Sequence, residues 1–152
     1  MLKLCIFLFV GFCVVGCGVR KPMAQFQQAT IAQSTPEAFS LAVAFEVFNT
    51  NDEPLQLMMY DYVVKANGVV VYEGFASAEQ SVPRESSVVN AIPIVFRRES
   101  IVGKEQVAWN LQGTLGFIPP KAISETLLDI GIWKPMTSIR AHGLVQVPDF
   151  DD

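Results

Sequence analysis

Residues 39–55 read FSLAVAFEVFNTNDEPL, and this stretch decides the fold. Large apolar side chains occupy the odd positions from Phe39 to Val47, and mostly small or polar side chains occupy the even positions between them. This two-residue period predicts a β-strand with one face in a hydrophobic core. The strand ends in a cluster of turn-forming residues over 49–54, so we expect the chain to reverse there.

The same period recurs on both sides of this stretch, which predicts about seven strands and an antiparallel β-sandwich over residues 25–148. Between residues 121 and 130 the period changes to that of a helix, and Gly131 follows where a helix would end, so we expect one short helix. The predicted strands are 25–33, 39–47, 55–64, 69–75, 87–96, 106–117 and 139–147, with a short strand near 79–82.

Four local signals refine this prediction. Asn67-Gly68 between two β-rich runs predicts a two-residue hairpin turn, which sets Val64 opposite Val71. The apolar face changes from odd to even positions at Met59, which predicts a bulge. Pro93 predicts an edge strand or an outward-facing nitrogen, and Gly113 predicts close backbone packing.

The composition excludes several classes of protein. The chain has 152 residues, of which 51% are apolar and 17% charged, so one folded domain is expected rather than disorder. The net charge of -4 argues against a nucleic-acid partner. One His and three Cys are too few for a typical His/Cys metal site, and we expect no cofactor.

Residues 1–16 read MLKLCIFLFVGFCVVG and form an apolar segment with a single charge, Lys3. The apolar run over 4–15 is shorter than the about 20 residues that span a bilayer. The pattern predicts a secretory signal peptide, with a buried core helix as the alternative. Its end, Val14-Val15-Gly16-Cys17, resembles a bacterial lipobox. That resemblance implies cleavage after Gly16 and acylation of Cys17.

This processing changes what the chain contains. Cys5 and Cys13 leave with the signal peptide and Cys17 becomes the anchor, so the mature domain has no disulfide. Loss of Lys3 leaves ten basic and fifteen acidic residues, a net charge of -5. An acidic domain does not dock on anionic lipid by charge, so acyl chains on Cys17 are expected to hold it to the membrane.

The tether is expected over 17–24 and an acidic tail over 149–152. The residue after Cys17 is Gly18 rather than Asp. For a Gram-negative lipoprotein this implies the periplasmic face of the outer membrane.

A second resemblance covers residues 25–96. Phe45-Glu46-Val47-Phe48-Asn49-Thr50-Asn51 with Pro54-Leu55 is similar to the opening motif of type 2 late-embryogenesis-abundant (LEA) proteins, whose module is the water-stress and hypersensitive-response (WHy) domain. The chain has Thr50 where that family usually has Pro. The motif continues with Tyr60-Asp61-Tyr62, Asn67-Gly68, Gly74, Pro83 and Pro93. The structural motif residues are therefore Asn49, Asn51, Pro54, Leu55, Tyr60, Tyr62, Asn67, Gly68, Gly74, Pro83 and Pro93.

The resemblance implies an immunoglobulin- or fibronectin-III-like sandwich and a non-enzymatic, membrane-anchored lipoprotein. Its expected role is binding or protection in the desiccation or stress response of the cell envelope, with an envelope protein or a client protein as partner. The alternative is an envelope assembly or transport lipoprotein that binds an apolar ligand or a protein. The strand with Pro93 and the loop 49–54 are candidate contact sites.

Candidate catalytic groups are few, and we predict no enzymatic activity. His142 is the single imidazole, and no G-x-S-x-G motif supplies a nucleophile. Asp52-Glu53 lies in a turn, and Asp149, Asp151 and Asp152 form the solvated tail. The aromatic residues Tyr60, Tyr62, Tyr72, Trp109 and Trp133 are either core or contact residues.

Overall fold

The structure is a computed structural model that describes residues 19–119, 129–131 and 134–149. The described residues contain eight strands and one 3-10 helix, Arg98–Ile101. The strands are β1 (Met23–Ser34), β2 (Ala38–Asn49), β3 (Leu55–Ala66), β4 (Val69–Ser77), β5 (Ser81–Val82), β6 (Ser86–Arg97), β7 (Gln106–Ile118) and β8 (Met136–Gln146).

The strands form two antiparallel sheets that pack as a sandwich, which confirms the predicted all-β fold. One sheet has three strands in the order β1-β2-β6. The other has the order β4-β3-β7-β8, with β5 paired to the start of β3. The predicted helix over 121–130 falls mainly on residues outside the described ranges. Gly131, its expected C-terminal residue, has a φ of +72°.

Alternation along β2 produces the core, because each odd residue from Phe39 to Asn49 is buried and each even residue from Ala38 to Phe48 is half-buried. The facing strands of the second sheet contribute Tyr60, Tyr62, Leu111 and Leu115 to the same core. Trp109 is buried as well, so of the two alternatives for it, core or contact residue, the structure shows a core residue.

The predicted bulge in β3 is present. The register between β3 and β7 shifts between Leu57 and Tyr60, and the two residues in between, Met58 and Met59, are both exposed. The shift moves the buried face from odd to even positions, so that Tyr60, Tyr62 and Val64 join Leu57 in the core.

The hairpin turn at Asn67-Gly68 is also confirmed, with φ values of 50° and 86°. The expected register was wrong by one residue, because Val64 pairs with Tyr72 rather than with Val71. A second register shift, between Val64 and Lys65, leaves Val71 unpaired in β4 and accounts for the difference.

Pro93 and Gly113 lie as predicted. Pro93 is in β6, which is an edge strand of the three-stranded sheet. A Cβ atom on Gly113 would collide with the carbonyl oxygen of Asp61 and lie 2.7 Å from the Cβ of Tyr62. Glycine is therefore required at this position of β7, which pairs with Tyr62 of the neighbouring strand β3.

The sandwich has two ends. The N-terminal end holds the start of β1, the loop 49–54 and the turn 83–85, together with the end of β7 and the start of β8. The hairpin end holds the turn 35–37, the Asn67-Gly68 turn, the 3-10 helix and residues 147–149. Strands of 12 residues separate these ends by about 40 Å.

Candidate functional site

A buried pair of asparagines, Asn49 and Asn51, organises the N-terminal end; we call this pair the asparagine hub. Asn49 ends β2, and its Nδ2 group donates to the carbonyl oxygens of Glu53 at 2.8 Å, Val82 at 3.1 Å and Pro83 at 3.2 Å. Its Oδ1 atom accepts from the backbone N–H of Asn51 at 3.0 Å, which closes an Asx turn.

The second member of the hub binds the incoming chain. Asn51 Nδ2 donates to the carbonyl oxygen of Arg20 at 2.9 Å, and Asn51 Oδ1 accepts from the backbone N–H of Arg20 at 2.8 Å. The amide of Asn51 thus bonds residue 20 in both directions, as a paired strand would. Asn51 Nδ2 also donates to Asn49 Oδ1 at 2.8 Å, so the two side chains act as one unit.

The residues next to Arg20 are held as well. Val19 packs against the hydrophobic core, Pro22 is buried, and β1 begins at Met23. The sequence predicts a polar tether over 17–24, whereas the structure places residues 19–24 against the domain. The difference arises from Asn51, whose side chain satisfies the backbone of Arg20.

The remaining motif residues of this end frame the hub. Leu55 is buried at the start of β3, opposite Val82 of β5. Pro54 and Pro83 are exposed. Pro83 contributes its carbonyl oxygen to Asn49. These residues shape the turns that bring β5 and the loop 49–54 to the hub.

Tyr62 joins the two sheets. Its hydroxyl donates to the carbonyl oxygen of Pro93 in β6 at 2.6 Å. Burial, followed by the hydrogen bond and charge interaction with Tyr72, raises the pKa of Tyr62.

Tyr72 reaches Tyr62 across Gly74. The two tyrosine rings lie 5.6 Å apart between centroids. A Cβ atom on Gly74 would lie 2.7 Å from the Tyr72 hydroxyl oxygen, so glycine at 74 leaves room for that ring. Tyr60, two residues before Tyr62, is equally buried, yet its hydroxyl has no hydrogen-bond partner among the described residues. Burial raises the pKa of Tyr60 to about 12.

The candidate catalytic residues are not brought together. His142 is exposed on the edge strand β8, opposite Asn110. Asp52 and Glu53 are exposed at the N-terminal end, while Asp149 is exposed beyond β8 at the hairpin end. Within the described ranges, no three His, Cys, Asp or Glu side chains are grouped so that they could hold a metal ion.

The lipobox residues Val14, Val15, Gly16 and Cys17 lie outside the described residues, as do Trp133, Asp151 and Asp152. Lipid attachment at Cys17 therefore stays a prediction. In the part of the chain that the structure describes, no helix has the length and apolar content needed to cross a membrane.

All four methionines of the described residues lie toward the N-terminal end, and all are exposed. Met23 is the first residue of β1 and Met136 the first residue of β8, with exposed fractions of 54% and 47%. Met58 and Met59 form the bulge in β3 and are 40% and 50% exposed. Met58, Met59 and Met136 lie on the five-stranded sheet and form an adaptable apolar surface, whereas Met23 is on the three-stranded sheet.

Sequence reasoning missed two arginines. Arg20 supplies the backbone groups that Asn51 binds, and Arg98 holds the hairpin end together. Arg98 donates to the carbonyl oxygens of Thr35 at 2.8 Å and Pro148 at 3.0 Å, and to Ser34 Oγ at 2.9 Å. The sequence indicates only a charged turn at 97–99, because these partners lie 50 to 64 residues away.

Comparison with known proteins supports the fold. The chain matches no protein-family model and no curated protein. A solution structure from Arabidopsis thaliana aligns with a TM-score of 0.65 and 13% identity, over 89% of this chain and 87% of that chain.

A solution structure described as a candidate late embryogenesis abundant (LEA) protein aligns with the same score and identity, over 86% of this chain and 73% of that chain. A crystal structure of a protein from Archaeoglobus fulgidus gives a TM-score of 0.52 at 13% identity, over 88% of this chain and 100% of that chain. The chain therefore has a LEA-like fold.

Proposed function

We propose that this chain is a non-catalytic lipoprotein, anchored through acyl chains on Cys17, whose LEA-like domain binds or protects other molecules in the cell envelope during water stress. The observation that carries the protective role is the structural likeness to a LEA protein over 86% of the chain. The observation that carries the anchor is the Val14-Val15-Gly16-Cys17 motif.

The placement of the ionisable groups supports a non-catalytic role. Acid–base catalysis requires two groups whose environments differ and that face one substrate position. His142 and the carboxylates of Asp52 and Glu53 are exposed on different parts of the surface. The deeply buried polar side chains Asn49 and Asn51 are committed to backbone partners, which is the pattern of a structural centre.

The anchor has a direct test. The intact mass of the protein from membranes of a lipoprotein-processing bacterium should correspond to a chain that begins at Cys17 and carries added acyl mass. The Cys17→Ser variant should leave the membrane fraction. A chain that still begins at Met1, or a Cys17→Ser variant that stays membrane-bound, contradicts the anchor.

The protective role has a separate test. Citrate synthase dried with the protein should keep more of its activity than citrate synthase dried with an equal mass of an inert globular protein. Equal losses in the two samples contradict protection. This assay does not depend on the lipid, because the Cys17→Ser chain serves as well as the anchored one.

The exposed methionines favour a second candidate function, an envelope assembly or transport lipoprotein. Of its two forms, a protein partner fits better than an apolar ligand between the sheets, since core side chains such as Phe45 and Tyr60 pack against each other in that space. Pull-down of the native lipoprotein together with lipid extraction separates the two forms. If lipid extraction releases an apolar ligand and the pull-down captures no protein, the preference for a protein partner is wrong.

A further inference from the structure

The outer face of the five-stranded sheet carries a compact apolar surface near the N-terminal end. Gly116 of β7 pairs with Met136 of β8, and on its other side the bulge of β3 places Met58 and Met59. We call these four residues the methionine patch. Because Gly116 has no side chain, the methionines on either side can spread over the gap between them.

The patch has uncharged neighbours on either side and one exposed carboxylate, Asp61, two residues beyond Met59 on β3. Met59 pairs with Ser77 of β4, and Gln56, two residues before Met58, pairs with Ile118. Exposed carboxylates lie near both ends of the sandwich: Asp52, Glu53, Glu79 and Glu85 near the N-terminal end, and Glu99, Glu105 and Asp149 toward the hairpin end. Charge therefore does not select this end for an anionic surface, and contact would depend on the apolar side chains of the patch.

The N-terminal segment limits how far the domain can lie from an anchor at Cys17. Val19 packs on the core and Arg20 is bonded by Asn51, so two residue steps separate Cys17 from the fixed part of the domain. Two steps span at most about 7 Å. Headgroup layers are of similar depth, which leaves no space between the N-terminal end and the lipid.

We propose that the lipid-anchored domain rests on the bilayer through the methionine patch, with the five-stranded sheet leaning on the headgroup layer and the hairpin end pointing away. This inference rests on the proposed acylation of Cys17. Flexible, unbranched methionine side chains suit an irregular, moving lipid surface. The bilayer is therefore the occupant that the short tether brings to this surface.

Fluorescence quenching by lipid tests the proposal on the full, lipid-modified chain. Because acylation blocks Cys17 and processing removes Cys5 and Cys13, a newly introduced cysteine is the single free thiol. One variant, Gln56→Cys, places an environment-sensitive dye beside the patch. The control, Val69→Cys, places it at the exposed hairpin turn, about 30 Å further along the sheet. Both are reconstituted in phosphatidylethanolamine and phosphatidylglycerol vesicles whose acyl chains carry bromine.

The dye at position 56 should lose about half of its fluorescence or more, and the dye at position 69 should lose none, since interfacial burial reaches only about 5–10 Å. Replacing Met58, Met59 and Met136 by Thr should reduce quenching at position 56 at least about twofold. Threonine is favoured in strands, so the fold is expected to persist, and an unchanged thermal transition checks this.

Equal quenching at the two positions, or no effect of the threonine replacements, would overturn docking through the patch. Failure of the anchor itself gives a different result, in which the unmodified chain does not float with the vesicles or the Cys17→Ser variant floats equally well. If the wild-type chain floats with the vesicles but the two dyes are quenched equally, docking through the patch is refuted and the lipid anchor is retained.

Discussion

Tyr60 and Tyr62 provide a matched pair of substitutions within one strand. Both side chains are buried on the core face of β3, with exposed fractions of 0% and 1%. The Tyr62 hydroxyl donates to the Pro93 carbonyl at 2.6 Å, whereas the Tyr60 hydroxyl lacks a partner among the described residues. A Phe in either position removes one oxygen and keeps the ring, so the variants differ mainly in what happens to a hydrogen bond.

The expected changes in the free energy of unfolding have opposite signs. Tyr62→Phe should destabilise the protein by about 1–2 kcal/mol, because it removes one hydrogen bond between the sheets and leaves the Pro93 carbonyl partly unsatisfied. Tyr60→Phe should stabilise it by about 1 kcal/mol, because a buried hydroxyl without a partner costs roughly 1–3 kcal/mol. The two variants should therefore differ by about 2–3 kcal/mol.

Urea unfolding at neutral pH, followed by tryptophan fluorescence, measures this difference as a shift in midpoint at constant slope. If Tyr60→Phe destabilises the protein as much as Tyr62→Phe does, the Tyr60 hydroxyl has a partner in solution and the reasoning is refuted. If Tyr62→Phe leaves the midpoint unchanged, the bond to Pro93 contributes nothing to stability.

Three further substitutions or conditions test the packing and the hub. Asn49→Ala should lower the free energy of unfolding by about 3 kcal/mol, because it removes the donor to three carbonyls and the acceptor for the N–H of Asn51. The control Thr50→Ala, at an exposed neighbouring position, should change the free energy of unfolding by less than about 0.5 kcal/mol. Similar values for the two variants in urea unfolding would contradict the role of the hub. Gly113→Ala should lower the free energy of unfolding by about 1–3 kcal/mol, because the new Cβ collides with the carbonyl oxygen of Asp61. Gly116→Ala, whose Cβ would have its nearest neighbour at 3.7 Å, should leave the melting temperature within a few degrees. Equal melting temperatures for the two variants would argue against the collision. Burial raises the pKa of Tyr60 from 10.0 to about 12, so the folded state holds the phenol proton more tightly than the unfolded state. The free energy of unfolding should therefore be unchanged below about pH 10 and fall as the pH rises towards 12, by about 1 kcal/mol at pH 11. Tyr60→Phe should show a smaller loss, and an equal loss would assign the effect to other groups.

Much of the fold could be predicted because burial and strand geometry share one period. The alternation from Phe39 to Val47 identified β2, and the change of face at Met59 identified the bulge, since each residue added to one strand exchanges the two faces. Pro93 and Gly113 were informative because proline lacks an N–H and glycine lacks a side chain. These properties act locally and can be read from one sequence.

The contacts that define the site were less accessible, because they join residues far apart in the chain. Asn51 and Arg20 are 31 residues apart, and no local pattern indicates that an amide will pair with that backbone. Tyr60 and Tyr62 look equivalent in the sequence, but only the second reaches the edge carbonyl of β6. The unpaired Val71 in β4 likewise followed no local signal and displaced the expected register.

The bonding of Arg20 by Asn51 also determines how the domain would respond to a mechanical load. A pull on the chain before Val19 reaches the amide of Asn51 first and then runs along β1. Because the hydrogen bonds between β1 and β2 are perpendicular to the strands, such a pull loads the whole ladder in shear rather than opening it bond by bond. The asparagine hub would therefore carry tension from the N-terminus before it reaches β1, so that the edge strand is not peeled from the sheet one hydrogen bond at a time.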